Sequence, residues 1–268
     1  MQPKLHSHII QNEYPPLIIL HGLYGSGDNW ISIGKQLSQS FCVHLIDQRN
    51  HGQSPHLQSH TYNDMANDLL DYCLEKQLSK FTLIGHSMGG KTAMTFALQH
   101  PDMITNLAII DIAPKAYTNH NNYARETTNH TFILESLKKI DFANASTRND
   151  LDRQLKDWIS DNTLRQFLLK SVGHTRAGYY WKLNLDDLLL NMSAIMDGFS
   201  NWEIAACQCP TLFIRGANSP YFLDNDIFTA RKFFPKANFV TIQNAGHWVH
   251  AQQPDLVLKT LLYFFDES

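Results

Sequence analysis

The run Gly85-His86-Ser87-Met88-Gly89 places one serine between two glycines. An apolar run, residues 81–84, precedes it, and residues 90–99 have helical character. This is the G-x-S-x-G pattern of a nucleophile elbow, a sharp strand-to-helix turn that exposes the serine hydroxyl. Glycine is needed beside the serine because neighbouring backbone passes too close for a side chain. The pattern predicts Ser87 as a nucleophile and places the Met88 N–H at a helix start, where negative charge is favoured.

A base for Ser87 is expected further along the chain. A serine hydroxyl is a weak nucleophile, so it needs a histidine base and an acid that orients the base. In chains with this elbow the order is serine, acid, histidine. His247 lies between the last predicted strand, residues 238–242, and a helical tail, and it is the predicted base. His250, three residues later, is the alternative.

The acid is harder to assign. Its usual position is the loop after the penultimate strand, but residues 215–220 contain no carboxylate. Asp111 directly follows the apolar run 107–110, so it would lie at the carboxyl edge of the sheet within reach of the base. Asp111 is therefore the predicted acid. Asp224 and Asp226 are the alternatives, although aspartate at a helix start also has a capping role.

A second donor for a developing oxyanion is predicted from the glycine-rich turn at residues 21–25. The N–H of Leu23 would act together with that of Met88, and each such donor is worth roughly 3 kcal/mol in a transition state. Residues 47–54 are interpreted as a structural turn, because their Asp and His precede the serine. His86 and Lys91 are not required by this mechanism.

The remaining histidines and the tryptophans are given structural interpretations. A solvated surface is expected for His6, His8, His56, His60, His120, His130 and His174. The tryptophans are candidates to line an apolar pocket, although large aromatic side chains more often serve packing than ligand contact: Trp30, Trp158, Trp181, Trp202 and Trp248.

The elements that must position these residues alternate along the chain. Short apolar runs occur at residues 17–20, 41–46, 81–84, 107–110, 211–214 and 238–242. Five of the six are near-continuous rather than alternating, which is typical of strands covered on both faces. Helical segments are predicted at residues 30–38, 62–76, 90–100, 227–234 and 254–265. This alternation predicts an α/β fold with a parallel, doubly wound sheet. Residues 5–11 are expected to add one or two antiparallel edge strands.

The alternation stops between residues 114 and 208. About ninety residues are too many for a structureless loop, so a helical cap without strands is expected there. Its clearest helical segments are residues 132–139, 151–159 and 164–169. The predicted division is a core of residues 1–113 and 209–268 with a cap of residues 114–208 over the carboxyl ends of the strands, where ligands bind in such sheets.

Composition narrows the function classes. The chain has 268 residues and a net charge of -3, which offers no basic surface for a nucleic-acid partner. Its four cysteines are too sparse for a disulfide framework and lack the spacing of a zinc site, so no metal or other cofactor is expected.

No apolar run reaches the roughly 20 residues that span a bilayer. The amino-terminal residues do not resemble a secretory signal, so a cytoplasmic protein without membrane insertion is expected.

Taken together, these motifs resemble the α/β-hydrolase superfamily and, within it, the YbfF-type bacterial esterases. The resemblance rests on residues 21–30, 47–54, 84–91, 111–114, 216–221 and 245–250, with a further similar stretch at residues 166–171. It implies an α/β-hydrolase fold with a helical cap, small esters and acyl thioesters as substrates, and an acid after the strand that follows the elbow strand. That last implication agrees with Asp111.

The predicted function is hydrolysis of small-molecule carboxylic esters, and of acyl-CoA thioesters, through an acyl-enzyme on Ser87. Two alternatives stay open. One is hydrolysis of a carbon–carbon bond by the same three residues, and the other is a non-catalytic ligand-binding protein with this fold. Acyl chain length and the choice between a monomer and a small homo-oligomer are not determined by the sequence.

Overall fold

Short strands that are mostly buried on both faces form the centre of the computed structural model, which describes residues 4–10, 13–117, 129–199 and 206–267. In chain order the strands are β1 (Ser7–Ile10), β2 (Pro16–Leu20), β3 (Cys42–Ile46), β4 (Phe81–His86), β5 (Ile104–Ile110), β6 (Val172–Thr175), β7 (Gly178–Trp181), β8 (Thr211–Gly216) and β9 (Ala237–Ile242). Seven of them form one sheet in the order β1-β3-β2-β4-β5-β8-β9. The other two, β6 and β7, form a separate hairpin.

Six of the seven sheet strands run parallel, which confirms the predicted parallel sheet. Of the one or two antiparallel edge strands expected near the amino terminus, the described residues contain one, β1, which pairs with β3 so that Ser7 lies opposite Ile46. Because parallel neighbours must be joined by crossovers, helices cover both faces of the sheet. Alternate side chains of β2 accordingly enter different apolar clusters: Ile18 and Leu20 one, Leu17 and Ile19 the other.

The helices follow the predicted segments closely. In chain order they are α1 (Ile31–Leu37), α2 (Tyr62–Glu75), α3 (Met88–Gln99), α4 (His130–Lys138), α5 (Arg148–Lys156), α6 (Asn162–Leu169), α7 (Leu185–Leu190), α8 (Met192–Met196), α9 (Asp226–Phe233), α10 (Val249–Gln252) and α11 (Pro254–Glu267). Short 3₁₀ turns span Gly27–Trp30 and Pro101–Met103. None of the helices within the described ranges is both long and apolar enough to cross a bilayer.

The longest described stretch of the insertion, residues 129–199, is called the cap segment below. It contains α4 to α8, but it also contains the β6–β7 hairpin, so the expectation that no residue there belongs to a strand is wrong. Each strand of that hairpin has only four residues, too short for a pattern to separate it from a loop. The apolar cluster of the cap segment continues onto Leu23 and Met88 of the sheet core.

Side-chain caps fix where several helices of the cap segment begin. Thr147 accepts a hydrogen bond from the N–H of Asp150, whose carboxylate in turn accepts from the Thr147 N–H. Asp161 accepts from two N–H groups at the start of α6. Such caps satisfy donors that a helix start leaves unpaired. They anchor short helices over the ends of the sheet strands, where the candidate site lies.

Candidate active site

Ser87 occupies a strained turn between β4 and α3. Its backbone has φ 54° and ψ −120°, a conformation that side-chain-bearing residues rarely adopt. The turn is held by a hydrogen bond of 3.0 Å from the Ser87 N–H to the carbonyl oxygen of Ile110. A Cβ atom on Gly85 would lie 2.3 Å from the Gly89 carbonyl oxygen, and one on Gly89 would lie 2.4 Å from the Leu20 carbonyl oxygen. Both flanking positions therefore require glycine.

Three of the predicted site residues lie together in a hydrogen-bonded chain. The Ser87 Oγ is 2.9 Å from the Nε2 atom of His247. The Nδ1 atom of His247 is 2.8 Å from the Oδ2 atom of Asp111. With its proton on Nδ1, the imidazole donates to the carboxylate and accepts the serine proton at Nε2.

Asp111 lies directly after β5 and is fully buried. Besides His247, its carboxylate accepts hydrogen bonds from the Ser219 hydroxyl and, at 2.9 Å, from the Gly216 N–H. A buried carboxylate needs such donors because it has lost its hydration. Its backbone also has a positive φ of 52°. The segment that supplies these two donors, residues 215–220, contains no carboxylate of its own.

The alternative acids are engaged elsewhere. Asp224 is exposed and pairs with Arg215 at 2.5 Å. Asp226 is buried, but it binds Lys115 at 2.7 Å and accepts from the Leu223 N–H at 2.8 Å. Among the described contacts neither residue touches His247.

The predicted oxyanion donors flank Ser87. Residues 22–25 form a turn closed by a 3.0 Å hydrogen bond from the Gly25 N–H to the Gly22 carbonyl oxygen. Within the described ranges, no acceptor takes the N–H of Leu23 or that of Met88, whereas the Tyr24 N–H donates to the His51 ring at 3.2 Å. Two N–H groups are therefore free beside the serine, as an oxyanion hole requires.

The loop of residues 47–54 supports this turn, as its structural interpretation predicts. The Asp47 carboxylate accepts from the N–H groups of Gly27 at 2.7 Å and Gln53 at 2.9 Å. The Gln48 N–H donates to the His21 ring at 3.0 Å. These bonds fix the turn that carries Leu23 without placing a side chain of the loop at Ser87.

His247 is held by two residues for which the sequence analysis predicts no role. The ring of Tyr221 stacks on the imidazole with centroids 3.9 Å apart. His86 donates from Nε2 to the His247 carbonyl oxygen at 2.9 Å, and burial holds the pKa of His86 well below its usual range. His250, the alternative base, instead stacks on Trp30 at 4.3 Å, and burial lowers its pKa to about 3. No sequence pattern marks these contacts, because they join segments that are distant along the chain.

His130 connects the cap segment to the sheet core. Its Nδ1 atom is 3.1 Å from the Tyr24 hydroxyl, and its Nε2 atom is 3.1 Å from the Tyr221 hydroxyl. Burial lowers the pKa of His130 to about 4 and that of His60 to about 3. The expectation of a solvated surface is thus wrong for both residues, because the His130 ring lies between Tyr24 and Tyr221 and the fully buried His60 ring contacts Asn50 and Met88. His120 lies outside the described residues.

A cavity of about 240 Å³ opens in front of Ser87. The sheet core contributes Tyr24, Tyr221 and Trp248 to its wall, and the cap segment contributes Ile133, Leu164 and Phe167. Trp30, Trp158 and Trp181 are not part of that wall, and Trp202 lies outside the described residues. Throughout those residues, no cluster of three or more His, Cys, Asp or Glu side chains forms a candidate metal site.

Comparisons with known proteins agree with this geometry. Residues 15–254 match a family described as the alpha/beta hydrolase fold. The chain is 33% identical to the esterase YbfF of Escherichia coli (strain K12) over 270 residues that cover 100% of both chains. It is 35% identical to the sn-1-specific diacylglycerol lipase ABHD11 of Danio rerio over 255 residues, which cover 93% of this chain and 78% of that protein.

One solved structure is similar to this protein over nearly the whole chain. A marine microorganism esterase is 43% identical, with a TM-score of 0.93, over 98% of this chain and 100% of its own. Agreement over nearly the full length extends the likeness from the sheet core to the inserted segment. The chain belongs to the α/β-hydrolase family and, within it, to the YbfF-type esterases.

Proposed function

We propose that this esterase cleaves short to medium carboxylic esters, and acyl-CoA thioesters of similar length, through an acyl-enzyme on Ser87. The observation that supports the proposal is the hydrogen-bonded chain from the Ser87 hydroxyl through His247 to the buried Asp111. In this role Ser87 is the nucleophile, His247 the general base and acid, and Asp111 the residue that orients the imidazole.

The reaction has two similar halves. In the first, His247 takes the proton of Ser87 as the oxygen attacks the carbonyl carbon, and the N–H groups of Leu23 and Met88 bind the oxyanion. His247 then protonates the leaving alcohol or thiol, which leaves an ester on Ser87. In the second half, water attacks that ester with His247 again as base, and the acid is released. Residues of the chain supply every proton transfer.

We further propose that residues 114–208 act as a cap that sets substrate size, with residues 1–113 and 209–268 as the catalytic core. The support is the mixed lining of the cavity, in which apolar side chains of the cap segment face Ser87. A cavity of about 240 Å³ matches a short to medium acyl group better than a long one. A small-molecule substrate reaching this cavity needs no nucleic-acid or macromolecular partner.

The test is hydrolysis of p-nitrophenyl esters and acyl-CoAs of increasing chain length by the wild type and by Ser87→Ala. We expect turnover by the wild type, with an optimum at short to medium chains, and a loss of at least about 10⁴-fold in kcat for Ser87→Ala. The exposed Ser40→Ala is the matched control and retains wild-type turnover. Stoichiometric labelling of Ser87 by a fluorophosphonate would report the activated nucleophile directly.

The same assay separates the alternatives. Folded wild type that hydrolyses neither esters nor thioesters, yet reacts with the fluorophosphonate, would favour carbon–carbon bond hydrolysis. A protein that binds ligands with a rise in Tm but shows neither turnover nor labelling would be a ligand-binding member of the fold. Either result would overturn the proposal.

A further inference from the structure

Cys207 and Cys209 form a pair of thiols that the proposed hydrolysis does not use. Both are free thiols, and a hydrogen bond joins their Sγ atoms, which lie 3.1 Å apart. The pair directly precedes β8, and the Cys209 Sγ atom lies 3.6 Å from the Thr211 hydroxyl oxygen. Two thiols in contact can exchange their two S–H bonds for one S–S bond when an oxidant takes up two electrons.

The positions of the two sulfurs favour such a bond. A disulfide has an S–S length of about 2.05 Å, so the two atoms need to approach by only about 1 Å. The backbone around them is held, because the Cys207 N–H donates to the Phe233 carbonyl oxygen at 2.9 Å and the Thr211 hydroxyl donates to the Cys209 carbonyl oxygen at 3.0 Å. Small rotations of the two side chains can supply the approach while these backbone bonds stay formed.

The same contact favours the thiolate, which is the form of cysteine that reacts with oxidants. Once Cys207 is ionised, the Cys209 thiol is the donor between them, and this hydrogen bond lowers the pKa of Cys207 to about 7. The other two cysteines are shifted the opposite way, since burial raises the pKa of Cys73 to about 12 and also raises that of Cys42. At neutral pH the pair is therefore the main source of thiolate among the four cysteines.

A small oxidant can reach the pair from solvent. Cys207 is 1% exposed, but Cys209 is half-buried and forms the accessible side of the pair. Because the two sulfurs are in contact, an oxidant that reaches Cys209 has also reached Cys207. Contact, ionisation and access thus coincide at these two residues.

We propose that Cys207 and Cys209 are a reversible oxidation site, at which a hydroperoxide converts the two thiols into an intramolecular disulfide. The site is separate from the candidate active site and does not depend on the proposed hydrolysis. A disulfide between residues only two apart closes a small ring, and strained disulfides are readily reduced. The two thiols therefore form again under reducing conditions.

The oxidation takes two steps. In the first, the thiolate sulfur attacks one oxygen of the hydroperoxide, the O–O bond breaks, and the other oxygen takes up a proton and leaves as an alcohol, or as water from hydrogen peroxide. The product is a sulfenic acid. In the second step, the sulfur of the remaining thiol attacks the sulfenic sulfur, the S–O bond breaks, and the hydroxyl group leaves as water with the thiol proton. The two sulfurs together lose two electrons, which reduce the peroxide bond.

The test is peptide mapping of the intact protein after treatment with a small excess of hydrogen peroxide at neutral pH. Free thiols are blocked with N-ethylmaleimide in denaturant, and trypsin then releases both cysteines in one peptide, residues 183–215. We expect this peptide to lose two hydrogen atoms and its reactivity with maleimide, and to regain both after dithiothreitol. Cys42 and Cys73 are internal controls and should be oxidised at least about tenfold more slowly, because their thiolates are scarce.

Two variants separate the disulfide from other oxidation products. In Cys207→Ser and Cys209→Ser the remaining thiol has no partner sulfur, so we expect a sulfenic acid that dimedone traps. Without dimedone, further oxidation should give a sulfinic acid that dithiothreitol does not reverse. Cys42→Ser is the matched control, because it removes a thiol outside the pair, and it should form the disulfide at the wild-type rate.

Three results would overturn the proposal. They are a pair that stays fully reactive with maleimide after peroxide treatment, oxidation of the pair at the same rate as Cys42 and Cys73, and a disulfide between two copies of the chain, seen as a dimer on a non-reducing gel. If neither serine variant folds, the wild-type peptide map decides alone. None of these results bears on hydrolysis by Ser87, which the ester and thioester assays test separately.

Discussion

At the scale of single residues, Asp111 contacts more residues of the candidate site than its position in the sequence suggests. Its carboxylate contacts Gly216 at the end of β8, Ser219 in the loop after β8 and His247 in the loop after β9. The donors from the end of β8 and the loop after it therefore bind the proposed acid, which follows β5, the neighbouring strand of the sheet. This explains how that loop can lack a carboxylate while the base is still oriented from the carboxyl edge of the sheet.

Asp111→Asn should lower kcat for ester hydrolysis by about 10⁴-fold with little change in KM, because an amide favours the wrong imidazole tautomer. Asp224→Asn is the matched control, since Asp224 is an exposed carboxylate bound to Arg215, and we expect it to stay within about threefold of the wild type. Steady-state kinetics with one p-nitrophenyl ester measure both. Inactivity of Asp224→Asn beside normal turnover of Asp111→Asn would show that the acid is misassigned.

Residues that depend on chain order were predictable, whereas residues that depend on contacts between distant segments were not. The elbow motif and the order serine, acid, histidine single out Ser87, Asp111 and His247, which the structure brings together. Tyr221 and His130 reach the site only through folding of the loop after β8 and the start of α4. Their local sequence resembles that of any polar loop.

At the scale of elements, the turn between β4 and α3 is the most tightly constrained. The start of α3 passes directly beneath β2, so that the Gly89 Cα faces the carbonyl oxygens of Leu20 and His21. Backbone atoms cannot move aside as a flexible side chain can. The strained Ser87 conformation thus depends on the absence of a Cβ at its neighbours.

Gly89→Ala should lower the free energy of unfolding by about 3 kcal/mol or more, because its Cβ would lie 2.4 Å from the Leu20 carbonyl oxygen. Gly246→Ala is the control, since its nearest heavy atom, on the Gln252 side chain, is 3.6 Å away. Urea unfolding of the two variants and the wild type measures the difference. Equal stability of Gly89→Ala and the wild type would mean that β2 and α3 are not packed as closely as described.

The predictability of the elements follows their length and burial. β2 to β5 and β8 were found in the sequence because buried parallel strands are apolar on both faces. The β6–β7 hairpin was missed because its alternation extends over four residues in each strand, with Gly173 under the Tyr180 ring. Local pattern cannot distinguish so short a ribbon from a loop, and its pairing is decided by packing within the cap segment, where Val172, Tyr179 and Trp181 join the apolar cluster.

At the scale of the whole molecule, burial lowers the pKa of seven histidines among the described residues, several of them around the site. Burial lowers the pKa of His44 and His130 to about 4 and that of His60 and His250 to about 3. Burial also lowers the pKa of His21, His51 and His86. His250 stacks on Trp30, and the other six rings form hydrogen bonds in the neutral form, so the packing of the core around the elbow depends on their staying uncharged.

Stability should therefore fall on mild acidification. In the unfolded chain these histidines titrate near pH 6.5, whereas in the folded state His44, His60, His130 and His250 stay neutral down to about pH 4 or below, so the unfolded state binds more protons in that interval. The stabilisation is complete above pH 6.5 and is lost as the pH falls towards the folded-state values. Each such histidine contributes a slope of about 1.4 kcal/mol per pH unit in that window. We expect Tm to decline steeply between pH 6.5 and pH 5, before most carboxylates titrate.

His250 is the best position at which to test whether the buried histidines cause this loss of stability. Its ring stacks on Trp30, while its Nδ1 atom has no hydrogen-bond partner among the described residues. His250→Phe keeps an aromatic ring there and removes one titrating group, so its pH slope should be shallower by about 1.4 kcal/mol per unit. The exposed His174→Phe is the control and should follow the wild type. Urea unfolding at pH 7.5, 6.5 and 5.5 measures the three slopes. If the free energy of unfolding falls with pH equally in His250→Phe and the wild type, the acid sensitivity originates outside the buried histidines. A shallower slope for His250→Phe would place its origin among them.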